Sequence, residues 1–162
     1  MSERLNDFDP THAIFGAMGS FWWRILVFFA CCFVGHFVGV NCAGAAEFFN
    51  NLWTNGPRAA FDHGGMNPLW VPLTWLGTLL VGCRDGWGLI QLVVLAVAFL
   101  FVWLSEDRFI HGFAIAALSQ PVDSFLVEGT SNTTALVVGL VVLAVWEAFV
   151  AGVYWWCLKQ ME

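Results

Sequence analysis

Ionisable residues inside long apolar runs are the first candidates for chemistry in this chain. Glu147 lies inside the run 135–158, and Arg24 lies near the start of the run 20–40. A charge inside a bilayer costs a few kcal/mol or more unless it is paired, neutralised or hydrated. Glu147 therefore predicts a proton or cation site, or a contact with a polar group of another subunit. The alternative is a neutral, hydrogen-bonded carboxylic acid that holds helices together.

His36 also lies within the first apolar run. An imidazole at that place has the chemistry to ligate a haem or a chlorophyll-type pigment. A haem held by two helices needs a second intramembrane histidine, but His12, His63 and His111 all fall in predicted tails or loops. This leaves a pigment with one axial ligand as one hypothesis and a hydrogen-bonded structural histidine as the other.

A second set of possible ligands falls in the predicted loops. Asp107 and His111 are four residues apart, which places both on one face of a helix, and Asp62 and His63 are adjacent in a loop on the same side of the membrane. Side chains of these types bind zinc or similar cations. The set predicts a metal site, with solvated loop residues as the alternative.

The segment from Gly35 to Gly39 has the GxxxG pattern within an apolar helix. Small residues at this spacing allow two helix backbones to approach closely in a membrane. We expect a close helix contact at these glycines, either with a partner protein or within this chain.

The elements that carry these residues follow from composition. Of the 162 residues, 59% are hydrophobic and 11% are charged, and the chain has 10 Trp and 16 Phe. An ordinary soluble domain has about 25% charged residues, so the excess apolar surface must face lipid or partner proteins. We therefore predict an all-α, polytopic transmembrane helix bundle that forms a single domain over residues 1–162.

The apolar runs predict about four spans, at 20–40, 68–83, 87–104 and 135–158, with external loops at 41–67 and 105–134. The second span would reach only about 24 Å, short of a bilayer core of roughly 30 Å. One or two interfacial helices complete the prediction. One lies between Asn41 and the TNGPR turn, and the other is an interfacial or re-entrant helix at 109–118 that Pro121 closes.

Lys and Arg residues predict the orientation through their cytoplasmic bias. Four of the six lie on the side of the N-terminus in this topology, so both termini are expected in the cytoplasm. The net charge is −6 and the Lys and Arg residues form no basic stripe, which argues against nucleic acid as a partner. The residues are Arg4, Arg24, Arg84 and Lys159 inside, and Arg58 and Arg108 outside.

The chain carries no GxSxG, P-loop, HExxH or dinucleotide-binding motif, so we do not expect an enzyme. The leading hypothesis is a non-catalytic, accessory subunit of a larger membrane complex, such as a respiratory or photosynthetic assembly. In such an assembly the aromatic faces would contact quinones, pigments or other subunits. One alternative is a small transporter or channel component built around Glu147, and another is a membrane anchor or scaffold.

A transporter should place polar residues on the inward faces of several spans. The predicted spans offer few for such a pathway, namely Arg24, Thr74, Thr78, Gln91 and Glu147.

Overall fold

The computed structural model describes residues 16, 19–56, 58, 68–84, 86–128 and 133–162. Within these residues the regular secondary structure is helical, without strands. Besides a 3₁₀ turn at Pro68–Trp70, the main helices are α1 (Phe21–Asn55), α2 (Val71–Arg84), α3 (Trp87–Leu104), α4 (Phe109–Glu128) and α5 (Thr133–Met161).

Four stretches of helix are long and apolar enough to cross a membrane. These are Phe21–Cys42 of α1, Trp87–Leu104, Phe109–Val127 of α4 and Leu136–Met161 of α5. The chain is a multi-pass transmembrane helix bundle, as its composition predicts.

Contacts between the helix ends fix the direction of each helix. At one end, which we call the Phe21 end, the Phe21 ring lies 4.4 Å from that of Trp103, and Arg24 lies over the Phe109 ring. At the other, the Cys42 end, Gly139 lies against Phe125 and the Cys42 carbonyl. The four spanning stretches therefore alternate in direction, and α5 ends at the end where α1 begins.

Helix α4 lies at the centre of the bundle: like α1 it contacts each of the other four main helices, and its spanning stretch is the most buried of the four. In its spanning stretch 56% of the residues are buried inside the protein, whereas in the spanning stretch of α5 the share is 11%. Helix α5 packs mainly on α1 and α4 and turns most of its surface outward.

The expectation that 105–134 is an external loop, with Pro121 ending a short helix at 109–118, is wrong. Helix α4 continues through Pro121 to Glu128. Proline lacks an N–H and leaves the carbonyl four residues earlier without its helical donor. That carbonyl belongs to Ala117, and it accepts a hydrogen bond of 3.0 Å from the Trp146 indole N–H of α5. A neighbouring helix thus supplies the missing donor, and the helix persists.

The expected span at 68–83 also differs from the structure. Helix α2 has 14 residues and is shorter than the four spanning stretches. Thr74 and Trp75 in its first turns contact α1 and α4 within the bundle, and Gly82 near its end approaches Gly88 of α3 at the Cys42 end. Helix α2 is therefore a short element packed beside the bundle centre.

The predicted loop 41–67 begins too early, because α1 continues without a break to Asn55. Asn41, which is polar enough to suggest a helix end, donates its side-chain amide to the Phe37 carbonyl one turn back, at 2.7 Å. The helix stops at Gly56, whose φ of 85° lies in the left-handed region that favours glycine. The TNGPR turn thus ends the helix where the sequence predicts, but no separate interfacial helix precedes it.

The revised spans change the grouping of the basic residues. The sequence-based topology places Arg84 on the side of Arg24, with Arg108 opposite. In the structure Arg108 precedes Phe109 beside Arg24 at the Phe21 end, while Arg84 ends α2 at the Cys42 end.

Candidate functional site

The last turns of α4 carry four polar residues that we call the α4 polar face: Ser119, Gln120, Asp123 and Ser124. Gln120 and Ser124 are fully buried, and Asp123 is 4% exposed. Polar side chains of α1, α2 and α3 approach this face. Burying a polar group costs free energy unless it forms a hydrogen bond, so we expect the side chains of this face to have hydrogen-bond partners.

His36 of α1 lies between α4 and α2. Its Nδ1 is 2.7 Å from Ser124 Oγ, and its Nε2 is 3.1 Å from Thr74 Oγ1. The Thr74 hydroxyl donates to the backbone carbonyls of Trp70 and Val71, which leaves Thr74 Oγ1 as the acceptor for His36 Nε2–H. In the neutral tautomer that this assigns, His36 Nδ1 accepts from the Ser124 hydroxyl.

An axial ligand to haem or pigment needs a free imidazole nitrogen, and both nitrogens of His36 are hydrogen-bonded. In this arrangement the His36 side chain joins α1, α2 and α4 through hydrogen bonds.

Two further hydrogen bonds connect the α4 polar face to neighbouring helices. The Trp75 indole N–H of α2 donates to Gln120 Oε1, and Gln91 Nε2 of α3 lies 3.4 Å from Ser119 Oγ. Indole can only donate, so the bond from Trp75 fixes the orientation of the Gln120 amide.

Two buried atoms of this face lack a hydrogen-bond partner among the described residues. They are Asp123 Oδ1, an acceptor, and Gln120 Nε2, a donor. Asp123 and Gln120 are three residues apart on α4, which places them on one side of the helix. The α4 polar face therefore retains unused hydrogen-bonding capacity next to an ionisable group inside a spanning stretch.

Glu147 lies on α5. It directly follows Trp146, which bonds to Ala117 of α4, and its Oε1 is buried without a hydrogen-bond partner among the described residues. Arg24, the other polar residue predicted within a span, lies near the Phe21 end. Its guanidinium donates to the Val102 carbonyl at 3.5 Å and lies 5.1 Å from the centre of the Phe109 ring.

The predicted metal ligands are not assembled by the described residues. Asp62 and His63 lie outside them, and Asp107 is exposed in the turn before α4, so it does not share a helix face with His111. His111 is in α4, packed against the Tyr154 ring at 5.6 Å, and its Nδ1 has no hydrogen-bond partner there. The described part of the chain contains no group of three metal-ligating side chains.

Gly35 and Gly39 lie against α4 of the same chain. A Cβ atom at Gly39 would be 2.5 Å from the Pro121 carbonyl oxygen, and one at Gly35 would be 2.9 Å from Gln120 Cβ. The close approach expected from GxxxG is thus made within this chain, and α4 occupies the face that a partner would need. This contact brings His36 of α1 within reach of Ser124.

Sequence reasoning missed Asp123, Gln120, Ser119 and Ser124, because it assigned them to a loop. The sequence contains one signal for these residues. All four lie within five residues of Pro121, and the apolar residues of this stretch recur at helical spacing up to Leu126. The chain matches no protein-family model, no curated protein and no solved structure.

Proposed function

We propose that this chain is a small membrane transporter or channel component whose site for a proton or cation is the α4 polar face. The observation that carries the proposal is Asp123, a carboxyl group that is 4% exposed inside a spanning helix and whose buried Oδ1 has no hydrogen-bond partner among the described residues. Ionisable residues inside transmembrane segments are rare and costly, and they mark ion pathways and proton relays.

The arrangement around Asp123 supports this function over a uniform apolar core. A transporter needs polar residues on the inward faces of several helices. His36 of α1 and Gln91 of α3 contact the α4 polar face, and Thr74 of α2 bonds to His36. Proline is also tolerated within a transmembrane helix where a neighbouring helix satisfies the freed carbonyl, as Trp146 does for Ala117. Pro121 lies between Gln120 and Asp123.

The proposal is tested with the purified chain in liposomes, by following ion flux under imposed proton, sodium and potassium gradients. We expect flux under at least one gradient, and a loss of that flux in Asp123→Asn. Glu106→Gln is the matched control, because Glu106 is an exposed carboxylate in the turn between α3 and α4. Absence of flux under all three gradients in correctly folded protein would refute the transporter proposal.

A second candidate function is the non-catalytic subunit of a larger membrane complex, and Glu147 is the observation that favours it. Glu147 lies near the middle of α5, the spanning helix with the smallest buried share, and one of its oxygens has no partner among the described residues. A polar side chain of a neighbouring subunit is one way to satisfy a carboxyl group at such a position.

This second function is tested by purification in mild detergent and identification of the polypeptides that remain bound. For a neutral, structural carboxyl, Glu147→Gln should retain the partners, because Gln keeps the shape and hydrogen bonds of a protonated acid, and Glu147→Leu should lose them. A chain that purifies alone and monodisperse, and that conducts ions, contradicts the subunit hypothesis.

The sidedness of the bundle belongs to the same set of proposals. Arg24, Arg108 and Lys159 all lie toward the Phe21 end, and Arg84 lies at the Cys42 end. The cytoplasmic bias of basic residues then favours the Phe21 end, and with it both chain termini, in the cytoplasm.

A further inference from the structure

The atoms that remain available on the α4 polar face define what it can bind. Three side-chain oxygens of the face already have partners: Ser119 with Gln91, Gln120 with Trp75, and Ser124 with His36. The buried atoms without a partner among the described residues are Asp123 Oδ1 and the Gln120 amide nitrogen. The site therefore offers one carboxyl group and one N–H donor.

This donor set does not suit a metal cation. Hard cations need several oxygen ligands, and the N–H of an amide directs positive charge toward any cation placed beside it. Within the described residues no group of three His, Cys, Asp or Glu side chains surrounds the face. A proton, in contrast, needs a single carboxyl oxygen.

We propose that the ion bound at the α4 polar face is a proton and that Asp123 carries it, an inference that rests on the transporter function proposed above. Hydronium transfers a proton to the Asp123 carboxylate, which forms the new O–H bond and leaves water. The reverse transfer returns the proton to water. Gln120 precedes Asp123 by three residues on the same side of α4, and in the deprotonated state a hydrogen bond from its amide N–H, which the structure does not contain, would offset part of the cost of the buried charge.

The position of Asp123 sets the direction from which the proton enters. Asp123 lies four residues before Val127, where the spanning stretch ends at the Cys42 end. At about 1.5 Å per residue this is a depth of roughly 6 Å, a short distance for water to reach. Exchange with the Cys42 side is therefore expected to be the faster of the two.

Other titratable groups lie on the helices that pack against α4. Among the residues with described side chains they are Arg24, Cys31, Cys32, His36 and Cys42 of α1, Cys83 and Arg84 at the end of α2, and Glu147, Tyr154, Cys157 and Lys159 of α5. His36 bonds to Ser124 and Thr74, and protonation at its Nδ1 requires the Ser124 hydroxyl to turn so that its oxygen accepts. Variants must separate Asp123 from Glu147, the other carboxyl within a span.

The experiment combines proton flux with infrared spectroscopy on the full chain. In vesicles of phosphatidylcholine and phosphatidylglycerol with an internal pH dye, a pH gradient should drive flux in the parent and in Glu106→Gln. In Asp123→Asn the flux should fall to the level of protein-free vesicles. Infrared difference spectra of the parent between acidic and alkaline pH should show a protonated carboxyl band. Asp123→Asn should remove one component of that band, and Glu147→Gln should leave that component in place.

The outcomes separate this inference from the proposed function. Flux that follows a sodium or potassium gradient and ignores pH overturns the proton assignment and leaves the transporter function intact. A band that is lost in Asp123→Asn without flux under any gradient supports proton binding and refutes transport. If the band of the parent does not change with pH, or if Asp123→Asn removes no component, the inference is wrong. Because the parent spectrum needs no variant, a folding defect in Asp123→Asn does not prevent this test.

Discussion

Helices α4 and α5 both have the length and composition of a membrane span, yet they use their surfaces in opposite ways. Helix α4 buries 56% of its spanning stretch and directs Gln120, Asp123 and Ser124 into the bundle, whereas α5 buries 11% and exposes large apolar residues. The same bilayer thus accepts a helix rich in polar groups, provided that other helices surround it.

The comparison also shows how the two helices depend on each other. Pro121 removes a backbone donor from α4, and Trp146 of α5 replaces it at the Ala117 carbonyl. In lipid no water is present to satisfy that carbonyl, so a side chain from a neighbouring helix is the available substitute. The outward-facing helix therefore stabilises the irregular centre of the inward-facing one.

The largest expected effect concerns whether α4 crosses the membrane at all. Topology reporters inserted after Glu106 and after Glu128 should lie on opposite sides, and a reporter at the C-terminus should match the one after Glu106. A span requires this result, since the α4 polar face would otherwise lie at the membrane surface. Reporters after Glu106 and Glu128 on the same side would show that α4 does not cross the membrane.

A large loss of stability is expected where α1 meets α4. Gly39→Leu should lower the free energy of unfolding by about 3 kcal/mol, because the new side chain would collide with the Pro121 carbonyl and force the helices apart. Gly152→Leu on α5 is the matched control, since a Cβ there meets nothing within 4 Å. Unfolding in mixed detergent micelles measures both. Equal losses in the two variants would show that α4 and α5 are not packed differently.

A double-mutant cycle examines the link between the two helices. Trp146→Phe should cost about 1 kcal/mol in the parent, because the Ala117 carbonyl loses its donor. In a Pro121→Ala background the same change should cost less, since residue 121 then supplies the helical N–H. The cycle is measured by the same unfolding assay. Identical costs in both backgrounds would mean that the indole does not replace the missing donor.

The smallest effect is expected at the hydroxyl of Ser124. Ser124→Ala should reduce stability by roughly 0.6 kcal/mol, the average value of a side-chain hydrogen bond between membrane helices. His36 would keep its bond to Thr74, and its Nδ1 would lose its donor. A loss of several kcal/mol would indicate that His36 depends on Ser124 for its position. The hydrogen bonds of the α4 polar face would then depend on one another.

The amino-acid sequence by itself determined the class of the protein. A charged fraction of 11% and long apolar runs predict a membrane helix bundle. The runs at 87–104 and 135–158 correspond closely to α3 and α5. These helices are apolar on all sides, so periodicity and composition lead to the same prediction. The end of α1 at Gly56 is likewise visible in the turn residues around it.

Only the tertiary structure decided the role of residues 109–128. Their polar residues and Pro121 resemble a loop when the chain is read alone, because local sequence carries no information on which donors a neighbouring helix provides. Trp146 lies 29 residues from Ala117, and His36 lies 88 residues from Ser124, yet these pairs satisfy the groups that would otherwise end the helix or expel it from the membrane. The close approach at Gly35 and Gly39 brings α1 near enough for the contact of His36. The candidate site is for this reason a property of helix packing, and Asp123 became a candidate only when α4 was found at the centre of the bundle.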